Sequence, residues 1–152
     1  MVTLRNITAE NCDECFALQV RDDQRTFVAP NVRSLAEAWV FHAVARPFAI
    51  YNDDTMVGFV MLDLNPYQKG NSEQCFLWRF MIDEKYQGKG YGKAALREVI
   101  SYVKTTLHPK TLETSVVPGN VGAEKLYNSF GFVANGKYDG GEKILVLDMA
   151  GA

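Results

Sequence analysis

Three glycines, Gly88, Gly90 and Gly92, alternate with other residues directly after a strand-like apolar run. Glycine has no Cβ, so such a segment lets the backbone approach a ligand closely and turn several N–H groups into one concavity. A helical pattern begins at the same place, and a helix N-terminus favours negative charge. Lys89 and Lys93 add two cationic side chains. The segment therefore predicts a binding site for phosphate or pyrophosphate.

Two common phosphate-binding motifs do not fit this loop. A P-loop ends in Gly-Lys followed by Ser or Thr, whereas here Lys93 is followed by Ala94. A dinucleotide-binding fingerprint needs a third glycine where Lys93 stands, within a repeated β-α-β pattern. The remaining alternative is a glycine-rich turn that only connects a strand to a helix.

The cysteines and histidines give weaker signals. Cys12 and Cys15 form a C-x-x-C, but two acidic residues between the thiols would raise the thiol pKa, and no second Cys/His pair completes a zinc site. His42 and His108 have no obvious ligand partner. We therefore expect no metal site and interpret both cysteines as ordinary helix residues.

Hydrophobic periodicity predicts the elements that position the glycine loop. Strands are expected at 2–5, 48–51, 56–64, 74–82, 111–117, 132–138 and 143–147, with helices from 11, from 34 to about 44, from 90 to 107 and from 122 to 129. A loop is expected at 65–72. The order β α α β β β α β α β β indicates one mixed α/β (α+β) domain over 1–152.

Local signals refine the first two helices. Asn11 with Glu14, and Ser34 with Glu37, predict capping boxes, and Pro47 is expected to end the second helix. Phe16 and Trp39 are expected to face the core, and the strand at 74–82 to be buried on both faces. Apolar surface expected on the terminal hairpin makes a homodimer a hypothesis.

Composition excludes several classes of protein. The chain has 152 residues, of which 47% are hydrophobic, a length that suits one domain with a real core. With 16 basic and 18 acidic side chains, the net charge of −2 argues against a nucleic-acid binder. The sequence has no signal-peptide pattern and no membrane-spanning apolar run, and three cysteines are an odd number. We expect a cytoplasmic protein without a membrane partner.

Two segments carry a resemblance to a known family. Gln87-Gly88-Lys89-Gly90-Tyr91-Gly92 resembles the Q/R-x-x-G-x-G/A acetyl-CoA loop of the GNAT superfamily of N-acetyltransferases. The second signature of that family, N-x-x-A-x-x-L-Y-x-x-x-G-F, resembles Asn120, Ala123, Leu126, Tyr127, Phe130, Gly131 and Phe132. Within the superfamily, 78–83 and 139–143 look most like bacterial spermine/spermidine (polyamine) acetyltransferases.

The resemblance implies a fold and a cosubstrate site. The fold is a mostly antiparallel twisted sheet of about seven strands, splayed at the acetyl-CoA site and flanked by about four helices. The strand before the loop would bind the pantetheine arm as an added strand, and the loop amides would bind the pyrophosphate. The implied cosubstrate residues are Phe80, Met81, Ile82, Gln87, Gly88, Lys89, Gly90, Tyr91, Gly92, Lys93, Asn120 and Tyr127.

The resemblance also implies a mechanism, in which a neutral amine attacks the thioester directly. Tyr127 would protonate the departing thiolate as a general acid, because phenol and thiol pKa values of ~10 and ~8.5 allow the transfer. A backbone N–H at the splayed strand would polarise the carbonyl. The alternative for Tyr127 is a core tyrosine on an apolar helix face.

The acceptor side is less defined. Some polyamine-acetylating relatives carry a glutamate where this chain has Trp78 and another acid where it has Arg79, so the general base is unassigned. Glu113 and Asp63 are the candidates for it. The acidic residues that could receive a polyamine are Asp22, Asp23, Glu37 and Asp63, and the alternative for each is a solvated surface charge.

Three functions remain open at this point. The first is acetyl transfer to a primary amine of a small molecule, with polyamines favoured. The second is acetylation of a protein or peptide amine. The third is a non-catalytic acetyl-CoA-binding sensor, which the missing base motivates.

Overall fold

The computed structural model describes residues 1–64 and 73–150, so the predicted loop at 65–72 lies outside the described residues. The strands are β1 (Val2–Arg5), β2 (Ala45–Asn52), β3 (Thr55–Asp63), β4 (Gln74–Ile82), β5 (Thr111–Val116), β6 (Val133–Asp139) and β7 (Glu142–Asp148). The helices are α1 (Cys12–Ala17), α2 (Asn31–Val40), α3 (Tyr91–Tyr102) and α4 (Val121–Ser129). Single 3₁₀ turns occupy Asp22–Gln24 and Glu84–Tyr86, and a π turn extends α3 over Val103–Leu107.

The described strands form one seven-stranded sheet in the order β1-β2-β3-β4-β5-β7-β6. Every neighbouring pair is antiparallel except β4 and β5, which are parallel. A parallel pair needs a crossover, and α3 supplies it between these two strands. The mixed, mostly antiparallel architecture predicted from the sequence is confirmed.

The core lies on both faces of the sheet. On one face, Val60 and Leu62 of β3 pack with Leu96 and Val99 of α3. On the other, Phe59 and Met61 pack in a second cluster with residues of α1 and α2. Alternate residues of a strand point to opposite faces, so β3 is buried on both. None of the described helices is long and apolar enough to cross a membrane.

The start of α2 differs from the prediction. The helix begins at Asn31 with Pro30 at its N-cap, and Ser34 lies buried within it. Asn31 Nδ2 donates to the carbonyl of Cys15 at 2.9 Å, which ties the first turn to α1. The predicted capping box of Ser34 and Glu37 is therefore wrong, because a tertiary hydrogen bond places the helix start one turn earlier.

The end of α2 also differs. The helix stops at Val40, and Pro47 lies within β2 rather than ending the helix. Proline has no N–H to donate, so it is tolerated only where a strand lacks a neighbour on that side. β1 pairs with 49–52 alone, which leaves Pro47 beyond the end of β1 and paired only with Met61 of β3.

The predicted capping box at α1 is wrong as well. Asn11 is the N-cap residue, but its side chain makes no capping bond to the helix. Instead its Oδ1 accepts the N–H of Thr8 at 2.8 Å, and its Nδ2 donates to the carbonyl of Asn6 and to the hydroxyl of Tyr51. The side chain thus anchors the turn before the helix to the sheet.

Two large side chains expected in the core are exposed. Trp39 is 79% exposed and Phe16 is 43% exposed. The buried or packed residues of α2 recur at Asn31, Ser34, Leu35 and Ala38, a face that excludes position 39. On the terminal hairpin Val133 and Tyr138 are exposed, and the homodimer stays a prediction.

Candidate active site

The two central strands separate part-way along their length. β4 pairs with β5 from Gln74 opposite Thr111 to Leu77 opposite Thr114, and no further. Beyond that point β4 stays with β3 up to Ile82, while β5 stays with β7. A cleft of about 770 Å³ opens between the diverging ends. The expectation that 74–82 is buried on both faces is wrong over 78–80, where Trp78, Arg79 and Phe80 are half-buried, and it holds at Met81 and Ile82.

A β-bulge marks the point of separation. Met61 of β3 lies opposite Arg79 and Leu62 lies opposite Leu77, so Trp78 is the extra residue on β4. A bulge bends its strand and increases the local twist, which turns β4 away from β5. The hydroxyl of Thr114 donates to the carbonyl of Leu77 at 3.0 Å and closes the apex of the cleft.

The glycine loop forms one wall of the cleft. Gly88 and Gly90 have φ of 76° and 86°, a backbone conformation that other residues rarely adopt. Gly90 is the N-cap of α3, and its carbonyl accepts the N–H of Ala94. The N–H groups of the first helical turn lack helix partners, so this end of α3 offers them to an anion.

Two hydrogen-bonding groups hold that loop in place. The carboxylate of Asp83 is buried and accepts the N–H of Gln19 at 2.9 Å and of Lys85 at 3.0 Å. The side chain of Gln87 donates to the carbonyl of Ile82 and to Oε1 of Gln24, both at 2.9 Å. The glycine loop is thereby joined to the segment that follows α1.

Tyr127 lies at the apex of the cleft. It is 7% exposed, and its ring centroid is 5.4 Å from that of Phe132. Asn120 begins its helix, because Oδ1 of Asn120 accepts the N–H of Ala123. Burial raises the pKa of Tyr127 to about 12, and an interaction with the hydroxyl of Thr114 offsets part of that rise. The phenol therefore keeps its proton at any physiological pH.

Most of the residues implied for the cosubstrate meet in this cleft. Those that line it are Phe80, Met81, Ile82, Gln87, Gly88, Tyr91, Gly92, Asn120 and Tyr127. Three further residues do not line the cleft itself: Lys89 and Gly90 of the loop and Lys93 in the first turn of α3. Nζ of Lys89 lies 5.8 Å from the ring centroid of Tyr86.

The other end of the cleft is lined by the segment before α2. Trp78 and Arg79 of β4 line the same end of the cleft. The wall consists of Gln24, Arg25, Thr26, Phe27, Val28, Ala29 and Pro30, together with Arg33 of α2. This end of the cleft therefore lies between the segment that joins α1 to α2 and the sheet.

The acidic residues predicted for the acceptor side lie elsewhere or have partners already. Asp22 and Asp23 are exposed and pair with Arg25 at 2.9 Å and Arg21 at 3.3 Å. Glu37 lies next to the cleft, where its Oε1 is 2.9 Å from Arg79 and 3.4 Å from Arg33. It neutralises arginines rather than facing open space.

The two candidates for the general base are also outside the cleft lining. Asp63 is the last residue of β3 and lies opposite Phe76. Glu113 is buried on β5, opposite Phe76 and Val146. Glu113 points to the face of the sheet opposite Thr114, the same face as Ser115, but unlike these two residues it does not line the cleft.

Sequence reasoning gave no role to Ser115 and Glu142. Both line the cleft, and Oγ of Ser115 donates to Oε1 of Glu142 at 2.9 Å. The two residues meet because β7 inserts between β5 and β6. Only the turn at 139–141, which places Glu142 at the start of a strand, was visible in the sequence.

No metal-binding cluster of three or more His, Cys, Asp or Glu occurs within residues 1–64 and 73–150. Cys12 and Cys15 are free thiols of α1, and Cys75 is also free.

The comparisons with known proteins decide the family. The family model described as acetyltransferase (GNAT) family matches residues 11–132, which include the glycine loop, both diverging strands and Tyr127. The chain belongs to the GNAT acetyltransferase family.

One curated relative of this GNAT protein is similar over nearly the whole chain. It is the spermine/spermidine N(1)-acetyltransferase of Bacillus subtilis (strain 168), 31% identical over 151 residues, covering 97% of this chain and 99% of the relative. The resemblance seen in the sequence is thereby confirmed at the level of the family.

Solved structures share the GNAT fold. A spermidine N-acetyltransferase from Vibrio cholerae in complex with CoA and spermine superposes with a TM-score of 0.77 at 18% identity, covering 98% of this chain and 96% of that one. An aminoglycoside acetyltransferase in complex with coenzyme A gives a TM-score of 0.80 at 14% identity, covering 97% and 95%.

Proposed function

We propose that this GNAT protein transfers the acetyl group of acetyl-CoA to a primary amine of a small molecule, with polyamines as the favoured acceptors. The observation that carries the proposal is the separation of β4 from β5 after Leu77 and Thr114. It opens a cleft with an anion-binding loop on one wall and a buried, protonated tyrosine at its apex.

The cosubstrate fits the first half of the cleft. The edge of β4 over Phe80 and Met81 has lost β5 as a neighbour, so backbone groups on that edge can pair with the amide groups of a pantetheine arm, whereas the carbonyl of Ile82 already accepts from Gln87. The glycine loop and the first turn of α3 suit its pyrophosphate. Bound there, acetyl-CoA supplies the acetyl thioester.

The reaction proceeds by direct attack of the neutral amine. The C–N bond forms, the C–S bond breaks, and one proton moves in net terms from nitrogen to sulfur. A backbone N–H of the free β4 edge polarises the carbonyl. Tyr127 gives its proton to the departing sulfur, and the phenolate is reprotonated by the proton that the acceptor nitrogen loses. The extra proton that the amine carries at neutral pH leaves to solvent before the attack.

The high pKa of Tyr127 is compatible with this role. Burial raises the pKa of Tyr127 to about 12, but it acts on a thiol in the same way. Within this protein, burial raises the pKa of Cys75 to about 12 and that of Cys15 to about 11. Burial at the apex therefore shifts the pKa of a leaving thiol in the same direction as that of Tyr127, which narrows the difference between proton donor and acceptor.

The polyamine class is supported by the Bacillus subtilis relative, which is a spermine/spermidine N(1)-acetyltransferase. The arginine that would repel a polycation, Arg79, does line the cleft. However, its guanidinium lies 2.9 Å from the carboxylate of Glu37, so much of that charge is neutralised.

The test is release of free CoA thiol in the presence of acetyl-CoA and a panel of acceptors: spermine, spermidine, putrescine, an aminoglycoside, amino acids and a peptide with a free N-terminus. We expect turnover with small amines and the highest kcat/KM with a polyamine. Higher turnover of the peptide would favour the protein acetyltransferase. Tight acetyl-CoA binding by calorimetry without turnover of any amine would favour the sensor.

A further inference from the structure

We propose that Glu142, held in orientation by Ser115, binds the ammonium group of the acceptor. This inference rests on the transferase function proposed above and names the residue that recognises the amine. Among the described residues that line the cleft, Glu142 is the one carboxylate, against the three guanidinium groups of Arg25, Arg33 and Arg79.

The carboxylate of Glu142 is not neutralised by an ion pair. Arg25 pairs with Asp22, and Arg33 and Arg79 share Glu37. Within residues 1–64 and 73–150, no cationic group lies within ion-pair distance of Glu142, and the neighbouring Lys143 pairs with Glu124 instead. The hydroxyl of Ser115 donates to Oε1 of Glu142. Glu142 feels the charge of Arg79 electrostatically but makes no ion-pair contact with it, so its carboxylate oxygens are available to a cation that enters the cleft.

The position of this pair suits an acceptor. Ser115 follows Thr114, the last residue of β5 that pairs with β4, so it lies just beyond the apex where Tyr127 is buried. Glu142 is the first residue of β7, which pairs with β5. Both side chains thus stand on sheet strands, and the bond from Ser115 fixes one carboxylate oxygen while leaving further acceptor sites open.

The chemistry calls for such a group. A primary amine reaches the enzyme as an ammonium ion at neutral pH. Hydrogen bonds to a charged group are stronger than those between neutral groups, because the ionic attraction adds to them in a cleft that partly excludes water. A carboxylate fixed in the lining of the cleft would therefore raise the occupancy of the amine.

The decisive variant is Glu142→Gln, which keeps the shape and removes the charge. We expect the KM for the amine to rise about tenfold or more, the size of a charge-assisted hydrogen bond, with the KM for acetyl-CoA unchanged. The matched control is Asp139→Asn, since Asp139 lies opposite Glu142 across the turn, carries the same charge and does not line the cleft. An unchanged amine KM in Glu142→Gln, or an equal rise in the control, would overturn the proposal.

Ser115→Ala separates a direct contact from a distant charge effect. This variant leaves every charge in place. If Glu142 only compensated the charge of Arg79, the amine KM would therefore not change. We expect a rise of a few-fold in the amine KM, with the acetyl-CoA KM and kcat nearly unchanged. No change in the amine KM would show that Glu142 is not held for binding.

Failure of the proposed function gives a different pattern. If the wild-type protein acetylates no amine, calorimetric titration of spermidine into the CoA complex still measures the ammonium site. Weaker binding by Glu142→Gln than by wild type would then support the site without the reaction. Equal binding, or no binding by wild type, would overturn it. Circular dichroism checks that each variant is folded. If Glu142→Gln does not fold, Glu142→Ala is used in its place.

Discussion

The two halves of the cleft are built in different ways. The half that suits acetyl-CoA uses backbone groups from one stretch of chain, namely the free edge of β4, the glycine loop and the start of α3. The half that we propose for the acceptor, called the acceptor half below, uses side chains from separate segments, including Arg33, Trp78, Ser115 and Glu142. A site made of contiguous backbone tolerates little variation in its loop, whereas a site made of dispersed side chains can change specificity one residue at a time.

The largest effect is expected where the halves meet, in Tyr127→Phe. Loss of the proton donor should lower kcat by about 10²-fold or more, while the KM for acetyl-CoA stays nearly the same, because the ring and its packing against Phe132 remain. Steady-state kinetics with both substrates varied measure this. Equal losses in kcat and in acetyl-CoA affinity would assign Tyr127 to packing instead.

The pH dependence of the same residue follows from its pKa. Burial raises the pKa of Tyr127 to about 12, so the proton-bearing form persists throughout the range from pH 6 to pH 10. Activity should therefore rise with pH as the acceptor loses its proton and show no fall from ionisation of the tyrosine below pH 10. A basic limb near pH 9 that is absent in Tyr127→Phe would contradict the raised pKa.

The cosubstrate half should depend on backbone conformation. Gly88 has a φ of 76° and nothing within 4 Å of an added Cβ, so Gly88→Ala meets strain without a clash. That strain costs roughly 1–2 kcal/mol, and we expect the acetyl-CoA KM to rise about tenfold with the amine KM unchanged.

Gly92→Ala is the matched control for the loop. Its φ is not in the left-handed range, and an added Cβ would lie 3.7 Å from Ile82 and 3.9 Å from Leu126, which is ordinary contact. We expect little change in either KM. If both alanine variants weaken acetyl-CoA equally, close approach of the ligand rather than backbone conformation limits the loop.

The acceptor half should depend on charge balance. In Glu37→Gln the half-buried guanidinium of Arg79 loses its carboxylate at 2.9 Å and faces the cleft uncompensated. We expect a several-fold rise in the KM for a polyamine and a fall of a few degrees in Tm. Asp23→Asn removes a carboxylate from an exposed pair with Arg21 and should change neither.

The same contrast explains what could be predicted from the sequence. The order of strands and helices and the glycine loop follow from local patterns, and the two family signatures span contiguous residues. Glu37 was misassigned and Glu142 was missed because their partners are distant in the chain. Glu37 of α2 pairs with Arg79 of β4, and Glu142 contacts Ser115 only because β7 lies beside β5 in the sheet. The start of α2 was missed for a similar reason, since Asn31 bonds to Cys15 of another helix.

The smallest effect should come from the hydrogen bond between the side chains of Gln87, in the glycine loop, and Gln24, in the wall before α2. Nε2 of Gln87 donates to Oε1 of Gln24 and also to the carbonyl of Ile82 on β4. Gln24→Ala removes the first bond together with the one that Oε1 of Gln24 accepts from the N–H of Arg21 at 3.2 Å. Each is worth about 1 kcal/mol or less at a part-exposed site, and the loop keeps its anchor to β4. If the halves are coupled through the bond between Gln87 and Gln24, each substrate should bind two- to three-fold less tightly only when the other is present. Calorimetry of acetyl-CoA binding with and without a non-reactive amine analogue measures that coupling in wild type and variant. A loss of acetyl-CoA affinity that is the same with and without the analogue would mean that the bond only orders the loop, and that the two halves bind their substrates independently.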